Sequence, residues 1–141
     1  MMSKRSLKFL PSDRSHQMTQ LAERARLSLS RYAGIDVDYN AVGLQTLDEW
    51  IDRHLNQFPD PSYEIRTVWA AFLGETFRRR FEGQWGIAAG NHRPRLGIIC
   101  SKDNGGLVFV DIMNQVNRRI ESGMNESLAF YYTIKGVEIS A

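Results

Sequence analysis

The chain has 141 residues, 43% of them hydrophobic and 24% charged, the proportions of one globular domain rather than a disordered segment. A net charge of +2 is too small to imply nucleic acid by itself, and Cys100 is the only cysteine, so no intramolecular disulfide can form. No run approaches the ~18 apolar residues of a membrane helix, and the basic stretch from Met1 to Lys8 is not followed by an apolar core. Neither a membrane span nor a secretory signal is therefore expected, and the cytoplasm is the default compartment.

Residues 1–11 read as a basic N-terminal tail, and 12–141 as a single α+β domain. Ser12 is placed to cap a first helix, in which Met18, Leu21, Ala22, Ala25, Leu29 and Tyr32 share one face. Gly34 supplies its stop, and 35–43 reads as a linker. Thr46 and Glu49 have capping-box spacing, with Leu47, Trp50, Ile51, Leu55 and Phe58 as the buried stripe that follows. Pro59 and Pro61 end that helix, and Ser62 caps the next.

The third helix, about 63–82, is apolar on two sides. Ile65, Val68, Trp69, Phe72 and Thr76 make one face, and Tyr63, Thr67, Ala70, Gly74 and Phe81 the other. Such a helix packs centrally, against something on each side. Gly74 would cost about 1 kcal/mol relative to alanine there, which implies a close neighbour.

After Gly83 the apolar period changes to two. Trp85, Ile87 and Ala89 alternate, the turn from Gly90 to Pro94 follows, then the apolar run Leu96 to Cys100, a loop over 101–106, and Leu107 to Val110. This predicts a three-stranded antiparallel meander, with bulges or strong twist at Gly86 and Gly97. Asp111 opens a fourth helix, with Ile112, Met113, Val116 and Ile120 inward and Gly123 at its end. Asn125 is placed to cap a fifth that buries Leu128, Tyr131 and Tyr132. Gly136 is expected to break it, leaving 137–141 as a tail or edge strand. The expected architecture is thus N-terminal helices, a central helix on a three-stranded meander, and two closing helices.

Several short motifs lie within 65–132. Leu73-Gly74-Glu75 in a helix is followed by arginines and Gly83-x-Trp85. Asn117-Arg118-Arg119-Ile120, Gly123 and Ser127-Leu128 come before an aromatic pair. The stretch resembles uncharacterised bacterial proteins of a domain-of-unknown-function family, with a Leu-Gly-Glu helix, a Trp strand and an arginine-glycine helix end. Asp111-Ile112-Met113 stands where that family's pattern has a proline. The resemblance implies the α+β fold and a bacterial source, and it brings no activity.

No metal set is legible. His16, His54 and His92 are scattered, and there is no second cysteine; no cofactor is expected. Cys100 ends an apolar strand and reads as a small buried hydrophobe. His92 lies on the preceding hairpin, but no orienting acid is apparent. Lys102 to Gly106 is glycine-rich yet joins two strands, without either phosphate-loop spacing. Glu75 and Arg79 are four apart, and with Gly74 and Trp85 they read as structural residues fixing the helix to the sheet.

Arg78, Arg93, Arg95, Arg118 and Arg119 are the candidate anion- or partner-binding residues. Charge is also unevenly spread: 34–65 carries seven acidic side chains and one basic, while 1–33 and 66–119 are both basic in excess. These segments are expected to neutralise each other as neighbours, or else to polarise the surface. The expected function is a non-enzymatic protein-binding or accessory module, of the immunity type by analogy, with self or another protein as partner. Anion or nucleic-acid binding through the arginines, and an enzyme whose residues meet only in three dimensions, are the alternatives.

Overall fold

The structure, a computed structural model, describes residues 6–90 and 93–140. Its elements in chain order are β1 (Ser6–Phe9), α1 (Ser12–Ala33), α2 (Ala41–Gln57), α3 (Tyr63–Phe81), β2 (Gln84–Ala89), β3 (Arg95–Ser101), β4 (Leu107–Val110), α4 (Ile112–Ser122) and α5 (Leu128–Ser140). A 3₁₀ turn, Gly123–Glu126, joins the last two helices. The class is α+β. Trp85, Ile98, Cys100 and Val110 turn one sheet face into the main core, where they meet α3 and α4. On the other face Ala88, Ile99 and Phe109, with Leu7, form a small separate cluster.

The expected three-stranded meander has a fourth strand. Ser6–Phe9, expected within the tail, pairs antiparallel with β2, Ser6 opposite Ala89 and Phe9 opposite Gly86, giving the order β1-β2-β3-β4. Four residues reading Ser-Leu-Lys-Phe carry too little alternation to announce a strand. What makes them one is the free edge of β2, which lies three helices away in sequence.

Gly86 and Gly97 do not interrupt their strands. They face one another in an unbroken register. A Cβ at Gly86 would meet the Ile99 side chain, and one at Gly97 would meet the Val110 carbonyl and the Phe109 ring. The glycines leave the room those two side chains occupy.

Within α3 every residue from Trp69 to Phe77 is buried, as a central helix requires. The close neighbour at Gly74 is the Trp85 indole, on which a Cβ would collide. Ser62 caps α3 by accepting from the Ile65 N–H, and Gly34 ends α1 in the left-handed conformation at φ 71°; both follow the expectation.

Other boundaries moved. Ser12 is the first residue of α1 rather than its cap, and Pro11 stands in the cap position with no side-chain bond. Helix α2 begins at Ala41, because Asn40 accepts from the Gly43 N–H. Thr46 and Glu49 therefore lie inside α2, and the expected 35–43 linker shortens to 35–40. Glu82 makes the left-handed turn after α3, at φ 50°. Helix α5 runs through Gly136 to Ser140, so 137–140 is neither tail nor strand, while residue 141 lies outside the described residues. Gly136 is buried; a Cβ there would press on the Arg80 guanidinium and the Phe81 ring. This glycine permits close helix packing instead of breaking a helix.

Candidate functional site

The most built polar feature lies where the end of α3 meets the start of α1. Glu75 is fully buried. Its Oε1 accepts from Arg78 Nε at 2.7 Å and Trp85 Nε1 at 3.4 Å; its Oε2 accepts from Arg78 Nη2 at 2.6 Å and Arg79 Nε at 3.2 Å. Burial pushes the Glu75 pKa up, but the Arg78 hydrogen bonds and charge, then Arg79 and Trp85, outweigh it and hold the carboxyl below its ordinary range. Arg78, read as an anion- or partner-binding residue, is thus also the main partner of Glu75, three residues back along the helix and within reach.

The linkage sign follows. A depressed carboxyl contributes stability above its ordinary pKa of about 4.5 and loses it as pH falls through the folded value. Glu75→Gln should therefore lower the melting temperature at pH 7 and flatten the fall in stability below pH ~4.5. Thermal melts of both forms across pH 7 to 2 check this.

Arg78 and Arg79 project from this anchor into a cleft of about 700 Å³, also lined by Ser12, Ser15, His16 and Gln84. Arg79 is held a second time, its guanidinium 4.2 Å above the Tyr39 ring. Tyr39 in turn donates to Glu23 at 2.9 Å, and Arg26 grips the same carboxylate with Nε and Nη2. The Arg26 hydrogen bond carries the Glu23 pKa down to about 2. Burial, then the Glu23 hydrogen bond, pushes the Tyr39 hydroxyl up.

The remaining arginines do not gather there. Arg95 pairs with Asp111 at 2.9 Å and Arg118 with Glu126 at 3.3 Å, while Arg93 is exposed beside Pro94. Arg119 is entirely buried. It donates Nε to Asp48 Oδ1 at 2.8 Å and Nη2 to the Asp48 carbonyl and to Asp52 Oδ1 at 2.6 Å. Of the five arginines read as candidates, only Arg78 reaches the cleft; Arg79, read as structural, joins it.

Asp48 is the counterpart of Arg119 and went unread in the sequence. Besides Arg119, its carboxylate accepts from the Ser127 hydroxyl and from the backbone N–H of Leu128 and Ala129, at 2.9–3.1 Å. The Phe130 N–H donates to Ser127 Oγ. The first three amides of α5 are thereby satisfied, two of them by a side chain from α2. Asn125, the expected cap, lies in the 3₁₀ turn. Four of the seven acids of the acidic segment pair with three arginines: Asp36 with Arg26, Asp48 and Asp52 with Arg119, Asp60 with Arg66.

The opposite face of α5 has no such cover. Phe130, Ile134 and Val137 are 63%, 49% and 66% exposed, one apolar stripe at i, i+4 and i+7. Phe130 and Met124 also line a hollow against α2 with Ala41 and Gln45. The stripe was legible as spacing, but the inward set Leu128, Tyr131 and Tyr132 drew the helical face first.

Cys100 is buried and its pKa is pushed up to about 11 by that burial, the opposite of an activated thiol. His92 lies outside the described residues. Among the described residues, no group of three or more His, Cys, Asp or Glu could hold a metal ion, and no helix is long and apolar enough to cross a membrane. Set against protein-family models, curated proteins and solved structures, the chain matches none.

Proposed function

We propose that the chain is a non-enzymatic protein-binding module of the accessory kind, whose docking surface is the outer face of α5 and whose occupant is a second copy. The observation that carries this is the stripe Phe130, Ile134 and Val137, half or more exposed on a helix whose other side is core. With Met124, these side chains leave on the order of 400 Å² of apolar surface in one place, the size of patch that marks interaction sites on soluble proteins.

The stripe is self-complementary. Two antiparallel copies of α5 can bring Phe130 of one opposite Val137 of the other, and Thr133 opposite Ile134. Large meets small, and each contact is repeated by the two-fold, as an isologous interface requires. The seam carries no charge, since Lys135 and Glu138 pair with each other beside it. Binding rather than turnover fits the buried acids, because Glu75 and Asp48 have both oxygens occupied by fixed donors.

Sedimentation or light scattering on the intact chain tests this. A dimer is expected with a Kd in the micromolar range, and Ile134→Glu should convert it to a monomer with an unchanged circular dichroism spectrum. A chain that stays monomeric to about 0.5 mM, or a dimer indifferent to Ile134→Glu, overturns the reading.

A further inference from the structure

We infer that the cleft between the start of α1 and the end of α3 is a binding site for a tetrahedral oxyanion, a phosphate or phosphate monoester. This stands independently of the α5 surface. The structure supplies two guanidinium groups held in place before any ligand arrives. Glu75, fully buried, takes Nε and Nη2 of Arg78 and Nε of Arg79, while Tyr39 stacks under Arg79. Arg78 Nη1 and both Arg79 Nη atoms make no hydrogen bond within the described residues, and these side chains are 34% and 48% exposed. Such fixed forks lose little freedom on binding an anion.

The other wall supplies neutral donors. Ser12 and Ser15 lie one turn apart at the start of α1, and neither hydroxyl, nor His16, nor the Gln84 amide has a partner among the described residues. Thr19 also lines the cleft, but its hydroxyl donates to the Ser15 carbonyl. Donors from two helices and a strand converging on one space suit three or four acceptor oxygens better than the two of a carboxylate. The α1 N-terminus, with no side-chain cap, adds the positive end of a 22-residue helix.

One group opposes an anion. The Glu82 carboxylate lines the same cleft, on the described chain's one non-glycine residue with positive φ, 50°. Here it acts as a filter that weakens binding, and removing its charge should strengthen it.

The probe is inorganic phosphate, titrated into the intact chain at constant ionic strength, with amide and arginine Nε resonances as the readout and acetate and chloride as controls. Saturable shifts are expected at Ser12, Ser15, Arg78 and Arg79. Arg79→Gln and Ser15→Ala should each weaken binding about tenfold, and Glu82→Gln should tighten it several-fold. Tighter binding of glycerol phosphate points to a monoester ligand, and equal binding to free phosphate; both support the site. Shifts reproduced by acetate or chloride, or phosphate binding unchanged in both Arg79→Gln and Ser15→Ala, overturn it. Ser15→Ala removes only a half-buried hydroxyl and keeps the test available if Arg79→Gln disturbs the fold.

Discussion

Replacing Asp48 with alanine should destabilise the chain by about 3–5 kcal/mol, the range seen when one partner of a buried ion pair is removed. The variant would leave Arg119, which is 0% exposed, with Asp52, half-exposed, as its one remaining carboxylate among the described residues. It would also free the Leu128 and Ala129 amides and the Ser127 hydroxyl, all now bonded to Asp48. Each buried donor left unpaired costs about 1–3 kcal/mol on its own, and the lower end of that range applies where water can reach the freed α5 end, which keeps the total near about 3–5 kcal/mol. Asp48→Asn separates the two effects, because an amide oxygen can still accept from α5 while the charge facing Arg119 is gone. Denaturant unfolding should rank the three chains wild type, Asn, Ala in falling stability. An alanine variant within 1 kcal/mol of wild type would show that α5 is held by packing alone.

Gly74 gives the second large effect, and its sign decides between two causes. Helix propensity alone predicts that Gly74→Ala stabilises by about 1 kcal/mol. Packing predicts the reverse, since the new Cβ would fall on the indole of Trp85, which is 1% exposed and tied to Glu75. Overpacking a rigid site typically costs 1–3 kcal/mol. A net loss of about 1–2 kcal/mol is expected for alanine, and a larger one for valine. A double-mutant cycle with Trp85→Phe is the check: the smaller ring should recover much of the alanine loss, so the two changes couple instead of adding.

The elements with local signals were legible. The helical faces of α1 and, apart from the exposed Tyr63, of α3, the Ser62 cap and the Gly34 stop are short-range patterns, and the structure has them. Trp85 and Gly74 were read as structural and meet directly. What was not legible came from partners distant in the chain. Ser6–Phe9 becomes a strand only because β2 offers an edge, and Ser127 caps α5 together with Asp48, 79 residues away. Gly136 was read as a helix breaker because glycine is a poor helix former in isolation, yet its missing Cβ is what lets α5 approach Arg80 and Phe81. The arginines divided in the same way. Composition could count them around the meander, but only packing could bury Arg119, tie Arg95 and Arg118 to acids, and send Arg78 with Arg79 into one cleft.

The two long-range ties also bear on how quickly the chain finds its structure. Pairing β1 with β2 joins Ser6 to Ala89, and capping α5 joins Leu128 to Asp48 across 80 positions. Each closure spans several helices, and contacts so distant in sequence slow folding. If these closures belong to the folding barrier, Asp48→Ala should slow refolding as well as accelerate unfolding, which a chevron plot of the two chains checks.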